Sequence, residues 1–113
     1  TMTELAKKRC VPCEGGVPAL TAAEATKLLG KLRPDWKLIN EGKGLQARFE
    51  FKNYYRTTAF VNATAWIAHT EDHHPDISFT YNSCTIHFWT HTINGLSEND
   101  FICAAKIDQL LAD

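Results

Sequence analysis

Ile77-Ser78-Phe79-Thr80-Tyr81-Asn82-Ser83-Cys84-Thr85-Ile86-His87-Phe88 contains two runs of alternating character: Ile77, Phe79 and Tyr81 against Ser78 and Thr80, then Cys84, Ile86 and Phe88 against Thr85 and His87. A period of two places successive side chains on opposite faces of a strand, and Asn82-Ser83 between the runs supplies a turn. The segment reads as a β-hairpin with one apolar face. Just upstream, Pro75 disfavours the helical conformation for His74, so the preceding helix must end near His73. Asn53 is placed to cap that helix, and Ala59, Phe60, Ala63, Trp66 and Ile67 are expected to form its apolar face.

The same logic extends outward in both directions. Trp36-Lys37-Leu38-Ile39 reads as a short strand, Gly42-Lys43-Gly44 as a turn, and Leu45, Ala47, Phe49 and Phe51 alternate with Gln46, Arg48 and Glu50. Before them, Thr21-Ala22-Ala23-Glu24 has the form of a capping box. Ala25, Leu28, Leu29 and Leu32 recur at helical spacing, and Pro34 stops the helix. After the second hairpin, Ser97-Glu98-Asn99-Asp100 opens a last helix, with Leu96 and Phe101 as a hydrophobic staple and Cys103, Ala104, Ile107, Leu110 and Leu111 on its buried side. The expected architecture is α+β: an antiparallel four-stranded sheet with three helices packed on one face, in the order α-β-β-α-β-β-α. Residues 1–19, with Gly15-Gly16 and Pro18, are expected to be an irregular N-terminal arm ahead of a single domain at residues 20–113. Four strands leave two edges to manage, so self-association is expected.

The 113 residues carry 12 basic and 13 acidic side chains, a formal charge of −1. That balance lacks the clustered cations that drive counterion release from nucleic acid, so direct nucleic-acid binding is not expected. No apolar run reaches the roughly 18 residues that span a bilayer, and the first nine residues have no secretory apolar core, which reads as a cytoplasmic protein without membrane contact. Four cysteines are too few for a disulfide scaffold. Cys84 and Cys103 lie on apolar periodic faces and read as core. Cys10-Val11-Pro12-Cys13 has half the form of a zinc or redox site, without a second pair to complete it.

The chemical signal is histidine. All five imidazoles lie between His69 and His91, and Thr70-Glu71-Asp72-His73-His74-Pro75-Asp76 puts two of them among three carboxylates at a helix exit. An imidazole titrates near pH 6.5 when unperturbed, so close to neutrality it can give or take a proton. Such a cluster suits general acid–base work. Two plainer readings stand beside it. His73 and His74 could simply cap the helix C-terminus, or histidine and aspartate could ligate a metal, although neither HExxH nor paired CxxC spacing is present. Trp89 shares strand parity with Thr85, His87 and His91, which puts it on the polar face beside the imidazoles.

His69, His73-His74-Pro75, Tyr81, His91 and Asp100, with Glu71-Asp72 and Gly95-Leu96-Ser97-Glu98-Asn99-Asp100 around them, resemble the pterin-4a-carbinolamine dehydratases over about residues 20–112. The resemblance implies dehydration of a 4a-hydroxytetrahydropterin to the quinonoid dihydropterin, in the recycling of tetrahydropterin after aromatic amino acid hydroxylation, with no metal or cofactor. It implies catalytic His73, His74 and His91: His73 and His91 would move protons and His74 would hold the pterin. Asp72 and Asp100 would orient the imidazoles, and Thr90, Trp89 and His69 would contact substrate. It also implies a homodimer or homotetramer and a functional link to an aromatic amino acid hydroxylase. The competing reading is a non-catalytic dimerisation or adaptor module, since animal relatives also partner a homeodomain transcription factor. Position 69 is His where many members carry Glu, and position 99 is Asn where animal forms carry Arg, which changes the charge at the pocket rim.

Overall fold

A computed structural model describes residues 2–10 and 18–111. Its elements are α1 (Met2–Lys7), α2 (Ala22–Leu29), β1 (Trp36–Ile39), β2 (Gly44–Glu50), α3 (Tyr54–Glu71), β3 (Asp76–Phe79), β4 (Ser83–Phe88) and α4 (Glu98–Leu110). The strands form one antiparallel sheet in the order β1-β2-β4-β3. The α+β class and the order of the sequence-derived elements hold, with one helix more than expected.

Register follows from burial. Leu45, Ala47 and Phe49 of β2 face Phe88, Ile86 and Cys84 of β4, while Gln46 and Arg48 face His87 and Thr85 on the opposite side. The first set is buried with Trp36, and a one-residue slip would exchange the two sets, so the apolar alternation determines the pairing. Helix α4 lies against α1 and α3, which is why Phe101, Ile102, Cys103, Ala104, Ala105 and Ile107 are all buried. Among the described residues, no helix is long and apolar enough to cross a membrane.

The caps form where the sequence places them. The Thr21 hydroxyl accepts the Glu24 N–H at 3.2 Å while the Glu24 carboxylate accepts the Thr21 N–H at 2.9 Å. Asn53 Oδ1 accepts the Arg56 N–H at 2.9 Å. Leu96 and Phe101 are both buried at the start of α4.

Three expectations need correction: Leu110, expected on the buried side of α4, is exposed, and the other two concern α3 and the N-terminal arm. The buried residues of α3 are Thr57, Phe60, Thr64 and Ala68, whereas Ala59 and Trp66 are exposed. The helix is rotated from the face that hydropathy selects. Thr57 makes this possible, because its hydroxyl donates to the carbonyls of Asn53 and Tyr81 and so enters the core without an unmet donor.

The N-terminal arm, in turn, is not irregular throughout. Residues Met2–Lys7 form α1, with Leu5 and Ala6 buried in the same apolar cluster as α4 and the sheet. Six residues cannot sustain a helix by themselves, so its packing on α4 supplies the stability. Lys106 Nζ donates to the Ala6 carbonyl at 2.6 Å, which further ties the arm to the domain. Cys13 and the Gly15-Gly16 step lie outside the described residues.

Candidate active site

At the exit of α3, Asp72 adopts the left-handed conformation at φ 50°, and the His73 N–H donates to the Ala68 carbonyl at 3.1 Å. This closure satisfies the last carbonyls and turns the chain sharply. His73 and His74 are thereby directed away from the helix axis before Pro75 commits the chain to β3. Across from them, β4 ends at Phe88, and Thr90 pairs with Gly95, its N–H donating to the Gly95 carbonyl at 2.7 Å. His91 therefore does not end a strand, as its alternation suggested. It opens a 3₁₀ turn, His91–Ile93, that closes through left-handed Asn94. Gly95 permits this close loop, since a Cβ there would lie 2.7 Å from that of Ala19.

These two corners enclose a pocket of about 430 Å³ lined by Asp72, His73, His74, Trp89, Thr90, His91 and Thr92. Six of the eight sequence-derived candidates thus meet in one cavity. Asp100 stands directly behind it. His69 does not line it: its exposed ring lies 5.5 Å from that of Trp66 on the outer side of α3. A second cavity of about 340 Å³, beside Arg33 and Arg48, contains no imidazole.

Asp100 is the anchor of the site. Its side chain is fully buried, and one oxygen lies 2.6 Å from His73 Nε2. The other oxygen accepts the Thr90 hydroxyl at 2.8 Å and the Ser97 N–H at 2.9 Å. Because the Thr90 proton is directed to Asp100, its oxygen is left to accept from the Ser97 hydroxyl at 2.7 Å. A carboxylate can only accept from Nε2–H, so His73 presents Nδ1 as the nitrogen available for proton transfer. The His73 ring is further held by Phe88, with centroids 5.9 Å apart and planes within 5°.

His91 is positioned differently. Its exposed ring stacks on Trp89, with centroids 4.2 Å apart and planes 14° apart, and Trp89 in turn lies 4.6 Å from the ring of His87. His87 and Phe88 were not among the sequence-derived candidates. Strand parity had already placed His87 beside Trp89, so the alternation was the signal that could have found it.

Behind α3, Glu71 holds the arm. Its carboxylate accepts the Cys10 N–H at 2.9 Å and pairs with Arg9 at 3.0 Å, with Lys106 at 3.9 Å. Burial pushes its pKa up, but the Cys10 N–H together with Lys106 and Arg9 outweighs burial and leaves it below the ordinary value. A carboxylate lowered on folding stabilises the native state above its unfolded pKa, and that contribution fades as pH falls through the folded value. Glu71→Gln is therefore expected to loosen the arm at neutral pH and to make little difference in acid. Hydrogen exchange at the Cys10 amide, measured at both pH values, checks this.

Cys84 and Cys103 do not suit nucleophilic chemistry. Burial raises the Cys84 thiol to about 11. Cys103 is also pushed up, by its contact with Cys10 Sγ at 3.5 Å and by burial. Both are core thiols, as the sequence pattern indicates.

The chain is similar to known proteins over most of its length. A family model described as pterin 4 alpha carbinolamine dehydratase matches residues 18–110. A protein of Nitrosomonas eutropha named "Putative pterin-4-alpha-carbinolamine dehydratase" is 56% identical over 108 residues, covering 96% of this chain and 94% of that protein. A crystal structure of a transcriptional coactivator/pterin dehydratase from Brucella melitensis superposes with a TM-score of 0.77 at 28% identity, covering 81% of this chain and 97% of the other. A pterin dehydratase-like protein identified as a RuBisCO assembly factor in the alpha-carboxysome gives a TM-score of 0.61 at 28% identity, covering 70% and 92%.

Proposed function

Given that this chain belongs to the pterin-4a-carbinolamine dehydratase family, we propose that it converts a 4a-hydroxytetrahydropterin to the quinonoid dihydropterin and water by histidine acid–base catalysis. The observation that carries this reading is the convergence of His73, His74 and His91 on one pocket, with His73 oriented by buried Asp100.

The chemistry is a dehydration without change of oxidation state. The C4a–O bond breaks and the hydroxyl leaves as water with a delivered proton. The N5 lone pair forms the C4a=N5 bond, and the proton on N5 is taken up by a base. One donor and one acceptor near neutrality suffice, which is what two imidazoles offer. His73 and His91 fill these roles, His74 and Asp72 form the rim that holds the ring, and the Thr90 segment offers main-chain groups to the pterin edge. Contact between substrate and His69 would require the ring to extend beyond the pocket, so His69 is assigned to the outer surface.

Purified chain supplied with 4a-hydroxytetrahydropterin generated in situ is expected to accelerate formation of the quinonoid product well above the spontaneous rate. Dehydration at the spontaneous rate by folded protein would refute the assignment. That outcome would favour the adaptor reading, which the coactivator name of the Brucella protein and the assembly role of the carboxysome protein keep in view. An adaptor has no use for a proton-transfer nitrogen held by a buried carboxylate, and for that reason catalysis is preferred.

Among the described residues nothing pairs with the outer edges of β1 and β3, and Tyr54, Phe79 and Tyr81 are exposed beside β3. These features support assembly into a dimer or tetramer, which sedimentation would measure. A cytoplasmic location and service to an aromatic amino acid hydroxylase complete the proposal.

A further inference from the structure

His73 is oriented by a carboxylate, but His91 is exposed at the start of a 3₁₀ turn, and its ring is held by stacking on Trp89. Trp89 in turn packs against His87, two residues before it at the end of β4, with ring centroids 4.6 Å apart. From this row of three rings we infer that His87 is a positioning residue, which acts through Trp89 to hold the His91 imidazole at the pocket. The catalytic part of this inference rests on the dehydratase reading above.

Packing alone does not account for an imidazole at position 87. Among the described residues its Nε2 is buried without a hydrogen-bond partner, and its Nδ1 is 4.0 Å from the Asp76 carboxylate. An aliphatic side chain would fill the same space without burying an unmet nitrogen. What the imidazole contributes, and an aliphatic group does not, is a flat face against the indole. The fold makes room for that face at Gly44, where a Cβ would come within 2.7 Å of His87 Nε2. Trp89 packs against both the His87 and the His91 rings. It therefore serves as a backing for His91 in preference to a stacking platform for a pterin.

Aromatic pairs contribute ~0.5–1.5 kcal/mol beyond simple burial, which corresponds to roughly two- to tenfold in the population of the held rotamer. His87→Ala is therefore expected to lower kcat about two- to tenfold with KM nearly unchanged, and His87→Phe, which restores a flat ring, to recover it. The direct readout is the His91 Cε1–H resonance in an imidazole-labelled full-length chain, assigned by its disappearance in His91→Ala. The indole ring current should displace it upfield in the unaltered protein. His87→Ala should move it toward the position of a free imidazole, and His87→Phe should return it.

Gly44→Ala, which crowds the His87 ring at Nε2, should displace the His91 resonance as well. A purely structural role for His87 would alter stability and leave this resonance in place. An unchanged His91 resonance in both His87→Ala and Gly44→Ala would overturn the inference, as would a shifted resonance with unchanged kcat. If the unaltered chain shows no dehydration, the reaction reading falls, and with it the catalytic part of this inference. The resonance still decides whether the three rings act together.

Discussion

His91→Ala is expected to reduce kcat for carbinolamine dehydration by ~10²–10⁴-fold, the usual contribution of a positioned acid or base. His91 is exposed and, among the described residues, its ring is held by stacking on Trp89, so its removal should shift stability by no more than about 1 kcal/mol. Activity and folding can therefore be separated cleanly at this position. His73→Ala should cost a similar factor in kcat, but with a stability loss of ~1–3 kcal/mol, because Asp100 Oδ1 is then buried without its partner. The two substitutions together should fall short of the product of their separate effects. Spontaneous dehydration sets a floor, and residues that act as a unit are not additive. Stopped-flow assays paired with denaturant melts supply both quantities. A folded double variant that turns over at the unaltered rate would remove the basis of the assignment.

Replacing Asp100 should have the largest effect on the molecule as a whole. This carboxylate accepts from Thr90 and Ser97 and pairs with His73, and no part of it reaches solvent. Asp100→Ala strands these three groups at the start of α4 and is expected to destabilise the fold by ~3–5 kcal/mol. Asp100→Asn is the more informative change. It preserves volume, but its amide offers only one accepting oxygen where the site supplies donors on both sides. If that oxygen serves Thr90 and Ser97, the amide N–H₂ faces His73 Nε2 and drives the proton to Nδ1, which exchanges the nitrogen available to substrate. Turnover should then fall by ~10²-fold or more while the protein still folds, with a loss of ~1–3 kcal/mol. Full activity and full stability in Asp100→Asn would show that the His73 tautomer is not controlled from behind the pocket. Denaturation midpoints and kcat on the same preparations make the comparison.

Much of this molecule was legible because its local signals agree with one another. The alternation in Leu45–Phe51 and Cys84–Phe88 matches the observed pairing, and Thr21 and Asn53 cap the helices they precede. Pro75 and the His73-His74 pair mark the corner where the pocket forms. The roles of the imidazoles rest on resemblance to a family, because residue type and spacing also allowed helix capping and, with weaker support from the spacing, metal ligation. Trp66 shows where hydropathy misleads: it was assigned to a buried face, yet it lies at the surface because Thr57 and Thr64 occupy the inner positions of α3. His91 was placed on a strand because alternation continues through it, but the Thr90–Gly95 bridge turns the chain there.

The amino-acid order by itself determined the elements from α2 to α4, their caps, the apolar side of each core strand and the gathering of the histidines in one stretch of chain, because each is read from a local pattern. Only the tertiary structure decided that Met2–Lys7 is helical, that Asp100 reaches His73 across 27 positions and that His69 faces away from the pocket. These outcomes depend on which surfaces meet when α4 packs against α1 and α3. A short helix, a buried carboxylate and an exposed ring each acquire their role from neighbours that are remote in the chain.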